Sequence, residues 1–188
     1  LEEHISGIPG DDFIKEFLPK CSESEKSQIA KEFVKFKERC LVRLLGDMRS
    51  YNYVIIPTHD FDKIIYKIRA IDFDQQSFEG NLKVYNLQFL KENFKIVEMV
   101  NRKLDNNSIN QYKLEERSFM AKRMISSPRR ASSLIECMKN DSISFDNNIQ
   151  LLKKQLIKYV GDVKFKECQN MGDILETILI FVKRNYQD

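Results

Sequence analysis

The chain has 188 residues, 42% of them hydrophobic and 31% charged, with a formal net charge of +3. That is enough apolar material for the core of one domain and too much for a disordered chain. The near-neutral balance, with Lys and Glu mixed along every helical stretch, argues against a polyanion-backbone binder, so nucleic acid is not expected as a partner.

Short helical punctuation begins the chain: "DDFIKEFL" (11–18) starts acidic and stops before Pro19. A long helix is expected over 23–45. Ile29, Phe33, Phe36, Cys40 and Leu44 recur at helical spacing, Ser22 and Glu25 form a capping box, and Gly46 ends it. "YNYVIIP" (51–57) and "IIYKIRAI" (64–71) are rich in β-branched and aromatic residues and predict a β-hairpin across the polar "THDFDK". After the polar stretch 74–86 the pattern is helical to the end. One stripe carries Leu87, Leu90, Phe94, Val97 and Leu104, and the next Ile109, Tyr112, Phe119 and Met120. Pro128 opens a further helix, a fourth runs from Phe145 to Val160 with Gly161 as its stop, and the last spans 173–186. The fold expected is therefore mainly α with one small β-hairpin, an α+β arrangement in a single helical domain over 1–188.

Cys21, Cys40, Cys137 and Cys168 are far apart and form no CxxC pair, which excludes the usual zinc spacing. Cys40 and Cys137 fall at apolar helical positions, so buried free thiols in a reducing cytoplasmic setting are expected. The longest apolar run, "ILETILIFV" (174–182), contains Glu176 and is well short of the roughly 18–20 residues of a membrane span. Leu1 in place of an initiator Met suggests an excised or processed piece of a longer chain.

Three oxygen-bearing side chains stand out. Asp47 and Asn52 lie five residues apart between the long helix and the first strand, and Asp72 lies at the end of the returning strand. A hairpin brings its chain ends together, so the three are expected to meet at one edge. Such a set suits phosphoryl transfer, in which one or two side-chain oxygens hold Mg²⁺ and a carboxylate orients the attacking hydroxyl.

"GDMRSYN" (46–52) followed by "IDFD" (71–74) resembles the catalytic loop and metal-binding segment of the aminoglycoside phosphotransferase and choline kinase relatives of protein kinases. The resemblance implies the C-terminal lobe of a kinase-like phosphotransferase acting on a hydroxyl of a small molecule or protein. It implies Asp47 as the catalytic base, Asn52 and Asp72 as metal and cofactor ligands, and Mg²⁺ and ATP as cofactors. Segment 74–86 would correspond to an activation or substrate loop. The match departs from the family in two places. Leu45 stands where the family has His, and nothing before residue 23 supplies a Gly-rich loop or a phosphate-gripping strand Lys, Gly7 and Gly10 included. The implied partner is thus a missing or removed N-terminal lobe, with no membrane. The alternative is a non-catalytic kinase-like helical module that binds a protein partner.

Other motifs have plainer readings. Asp74 reads as solvated, and Arg49 as contacting either a phosphate or a neighbouring carboxylate. His59, Asp60 and Asp62 read as an exposed turn, and His4 has no partner in sequence. "RRASS" (129–133) resembles a target of basophilic kinases but reads first as the opening turn of a helix. Tyr51 and Tyr53 flank Asn52 on alternate sides, so one of them is expected to face a pocket.

Overall fold

A computed structural model describes residues 7–61 and 63–184. It is mostly helical, with a small antiparallel sheet. The sheet has three strands in the order β1 (Ile8–Pro9), β2 (Tyr53–Asp60), β3 (Lys63–Ala70). The sequence predicted only the hairpin; the added strand is a two-residue edge, Ile8 opposite Ile55 and Pro9 opposite Val54. Pro57, which cannot donate to a ladder, lies beyond the reach of β1 and costs no hydrogen bond there. β2 and β3 pair from Tyr53–Ala70 to Asp60–Lys63, so the predicted polar loop is mostly strand. His59 and Asp60 are exposed strand residues, while Asp62 and His4 lie outside the described residues.

The N-terminal helix is an irregular run: α1 (Gly10–Asp12), a π-turn (Phe13–Phe17) and a 3₁₀ turn (Leu18–Lys20) that accommodates Pro19. α2 (Glu23–Val42) begins on the predicted capping box. Ser22 Oγ accepts from Glu25 N at 3.3 Å, and Ser22 N donates to Glu25 Oε2 at 2.8 Å. Its end differs from expectation. Leu44, not Gly46, takes the left-handed position, at φ 51°. Leu45 N then bonds Cys40 O at 2.9 Å and Leu44 N bonds Leu41 O at 3.2 Å, the paired bonds of a Schellman stop. Burial of the Leu44 side chain, fully inaccessible to solvent, offsets the cost of that backbone.

The expected helix over 87–104 is shorter. Residues 82–93 form three 3₁₀ turns, and α3 covers only Phe94–Lys103. Extended backbone at Asn86 and Leu90 interrupts the run. α4 (Asn106–Ser126), α5 (Pro128–Asn140) and α6 (Asp146–Val160) follow. Pro128 sits in the first turn of α5, and Gly161 closes α6 at φ 78° as predicted. α7 spans Met171–Arg184, and the remainder of the expected last helix lies outside the described residues. "RRASS" is the exposed first turn of α5.

Two apolar clusters share α2 as a wall. One joins Phe13 and Leu18 to Ile29, Phe33, Phe36 and Cys40 of α2, the sheet residues Tyr53, Ile55 and Ile68, and Ile96 of α3. The other gathers Val42, Leu44, Ala121, Leu152, Leu156, Ile174 and Val182. Lys31, Lys35 and Glu38 of α2 meet Tyr112, Glu115 and Arg117 of α4 in ascending order, so the two helices run in the same direction. The free backbone edge of β3 is covered by α2: Glu32 accepts from Ile68 N at 3.3 Å, and Arg39 donates to Ile68 O at 3.1 Å. All four cysteines are free thiols. Cys40 and Cys168 are buried, whereas Cys137 is exposed, because α5 buries none of its residues. Phe94, Phe119 and Phe145, placed by periodicity on core stripes, are likewise more than half exposed.

Tyr66 ties the sheet to the start of α2, donating to Glu25 Oε1 at 2.6 Å. That hydroxyl, with Ser22, pulls the Glu25 carboxyl down to about 2. A carboxylate held below its unfolded value stabilises the fold above about pH 4.5, and that contribution disappears as the pH falls towards 2. Tyr66→Phe is expected to lower the urea midpoint at pH 7, with the deficit shrinking between pH 4.5 and 2 in parallel denaturation series. A deficit independent of pH would mean the hydroxyl acts only through packing.

Candidate functional site

The residues picked out by sequence lie on three segments that converge where α2 ends and the hairpin begins. In the first, after the Schellman stop, Asp47 adopts φ 52°, a left-handed backbone that Asp tolerates better than most residues. Arg49 N bonds Asp47 O at 2.7 Å, and a 3₁₀ turn (Ser50–Asn52) leads into β2. The Asn52 side chain, 9% exposed, donates from Nδ2 to Asp47 O at 2.7 Å and closes the loop on itself.

The second segment is the end of β3. The ladder continues one step past Tyr53–Ala70, with Ile71 N donating to Asn52 O at 3.1 Å. Asp72 therefore follows immediately on the residue bonded to Asn52. Its Oδ1 accepts from Asp74 N at 3.1 Å, which turns the chain sharply. The Asp72 carboxyl also hydrogen-bonds the Asp74 side chain. Together with some desolvation and the charges of Asp72 and Asp47, this pushes the Asp74 carboxyl above its ordinary value. Asp74 is exposed, as its sequence context suggests, but it shares one electrostatic neighbourhood with Asp72 and Asp47.

The third segment, 75–77, runs back along the α2 stop. Gln76 bridges Leu45, Gln76 Nε2 donates to Arg43 O at 3.2 Å, and Ser77 N donates to Leu44 O at 2.8 Å. Gly46 is required at this crossing: a Cβ there would lie 2.8 Å from Gln75 O. Beyond it, residues 78–86 are pinned to α6. Asn148 donates to Phe78 O at 3.1 Å, and Gln155 accepts from Leu82 N at 2.8 Å. The segment expected as a substrate loop is anchored along half its length.

Arg49 resolves between its two readings towards the carboxylate. Its Nε lies 2.8 Å from Asp47 Oδ1, and its Nη1 donates to Tyr51 Oη at 3.2 Å. Of the two tyrosines, Tyr53 is buried and Tyr51 is 47% exposed beside the acidic residues.

Sequence reading missed Asn93. It is fully buried and accepts from Tyr53 Oη at 3.0 Å while donating to Met48 O at 3.0 Å and Leu87 O at 3.2 Å. One amide thereby holds the Asp47 loop, β2 and the 3₁₀ run together. Its only sequence signal is a polar residue inside an otherwise apolar stripe.

The donors on offer are two or three carboxylates and the Asn52 amide oxygen, its nitrogen being engaged. These hard oxygen ligands match Mg²⁺ chemistry. Among the described residues no group of three or more His, Cys, Asp or Glu side chains lies close enough to hold a metal without rearrangement. Comparison with protein-family models, with curated proteins and with solved structures returns no match.

Proposed function

We propose that the chain is the C-terminal lobe of an ATP- and Mg²⁺-dependent kinase-like phosphotransferase that acts on a hydroxyl group. The observation that supports this reading is the Ile71 N to Asn52 O bond beside the Asn52 Nδ2 to Asp47 O bond, which bring the segments carrying Asp47, Asn52 and Asp72 against one another. Asp47 orients the acceptor hydroxyl and takes its proton. Asn52 and Asp72 would hold the metal, which when bound would supply charge neutralisation at the phosphates. Asp74, whose carboxyl is raised above its ordinary value beside Asp72 and Asp47, would be favoured in its charged form by a divalent cation held there. An N-terminal lobe supplies the grip on the nucleotide.

A second reading is supported by the Arg49–Asp47 ion pair, which engages one of the two Asp47 carboxylate oxygens. In that reading the lobe is a non-catalytic module that binds a protein partner.

Mn²⁺ titration followed by NMR line broadening tests the first reading even at weak affinity. Amide signals of Asp47, Asn52 and Asp72–Asp74 are expected to broaden first, and Asp72→Asn to abolish that selectivity. Broadening elsewhere, or indifference to Asp72→Asn, sinks the metal role and leaves the module reading.

A further inference from the structure

Beside the acidic edge lies a separate groove of about 590 Å³ between α2, the outer edge of β3 and α4. Arg39, Arg43, Lys67, Arg69 and Arg123 line it, against only two carboxylates, Glu32 and Glu116. Both carboxylates are spent on Arg39, at 2.7 and 3.2 Å. Among the described residues Arg43, Lys67, Arg69 and Arg123 have no acidic partner within salt-bridge distance. Four unneutralised cations thus line one concavity whose only two carboxylates are already engaged.

The cations are also held in place. Arg43 lies over the Phe73 ring, 6.0 Å from its centroid, and Arg123 over Phe119 at 5.5 Å. Stacking on a ring orders a guanidinium before any ligand arrives and reduces the entropy lost on binding. Desolvation by the groove walls, then the like charges of Arg39 and Arg123, holds Arg43 below its ordinary value, so the group gains from an incoming anion. Planar guanidinium forks match the oxygens of a phosphate, and Phe36, Phe73 and Phe119 give the groove an apolar wall.

We propose that this groove binds a small organic phosphate, its phosphate held by Arg43 and Arg123 with Arg69 and Lys67 at the rim, and its apolar body against Phe73 and Phe119. The site requires neither a metal nor catalysis at Asp47, so it stands independently of the phosphotransferase reading.

The test is NMR or calorimetric titration of the full chain with phenyl phosphate, and separately with inorganic phosphate, without divalent cations. Saturable one-site binding is expected, with phenyl phosphate several-fold tighter. Arg43→Gln with Arg123→Gln is expected to weaken it about tenfold or more, since each lost charge-assisted hydrogen bond is worth at least that factor. Arg69→Gln, at an exposed strand position, is expected to weaken it less and does not threaten the fold. Lys158→Gln with Lys166→Gln, outside the groove, and Asp72→Asn are expected to leave it unchanged. Unsaturable binding, equal affinity for both probes, or equal loss in the Lys158/Lys166 variant overturns the proposal. Loss of Mn²⁺ selectivity in Asp72→Asn with phosphate binding intact separates this site from the acidic one.

Discussion

Asn93→Leu is expected to destabilise the fold by about 3–5 kcal/mol and to lower Tm by roughly 6–20 °C for a chain of this size. The substitution keeps the branching of the side chain and deletes three hydrogen bonds at once, leaving the Tyr53 hydroxyl and the Met48 carbonyl buried without their amide partner, while Leu87 O keeps its bond from Leu90 N at 3.2 Å. Each orphaned group costs about 1–3 kcal/mol, less where water can enter. Tyr53→Phe removes only one bond, with its Asn93 partner left in place, and is expected to cost about 1–2 kcal/mol. The difference between the two variants is the diagnostic quantity. Urea denaturation measures both, and hydrogen exchange at residues 48–52 locates the loss. Because Met48 adjoins Asp47, Asn93→Leu is also expected to free the acidic loop and raise exchange there before global unfolding. Equal destabilisation by the two variants would remove Asn93 from any role in holding the site.

The features legible from sequence were those that one or two residues decide locally. Ser22 and Glu25 fix the start of α2, Gly161 stops α6, Pro128 opens α5, and the β-branched runs give β2 and β3. What escaped depends on contacts across the chain. Leu44 takes the position a glycine usually fills because its side chain fits the second apolar cluster, which no local pattern discloses. β1 forms because β2 offers an edge, not because Ile8–Pro9 favours a strand. The helical stripe from Leu87 is interrupted by extended backbone at Leu90, and the Asn93 amide that follows bonds inward to Tyr53 and Met48 of other segments and to Leu87 of its own. At the candidate site, the adjacency of the segments carrying Asp47, Asn52 and Asp72 follows from hairpin geometry and was predictable. The coupling of Asp74 to Asp72, and the engagement of Asp47 by Arg49, depend on side-chain directions that spacing leaves open. The cations of the groove are spread from Arg39 to Arg123 and form a cluster only once α2 and α4 lie side by side.

That alignment of α2 and α4 rests on a reciprocal charge arrangement, and Arg117→Met is expected to cost about 3–5 kcal/mol by breaking it. Adjacent residues on each helix pair crosswise: Glu38 with Arg117 at 2.6 Å, and Arg39 with Glu116 at 3.2 Å. Glu38 is 2% exposed, so removing its partner strands a carboxylate among Leu41, Leu156, Tyr159 and Ile178, where α2, α4, α6 and α7 meet. Adding Glu38→Leu to Arg117→Met removes the stranded charge and is expected to restore most of the lost stability, because two apolar groups of similar size replace a desolvated pair. Equilibrium urea unfolding of the two single variants and the double gives the coupling energy directly. A double variant no more stable than Arg117→Met alone would place the cost in packing of the arginine stem and not in the buried charge. If the charge is the cause, the single variant should also loosen the α2–α4 contact, moving Arg123 relative to Arg43. Phosphate affinity in the neighbouring groove should then fall in Arg117→Met and recover in the double variant, although neither residue lines that groove.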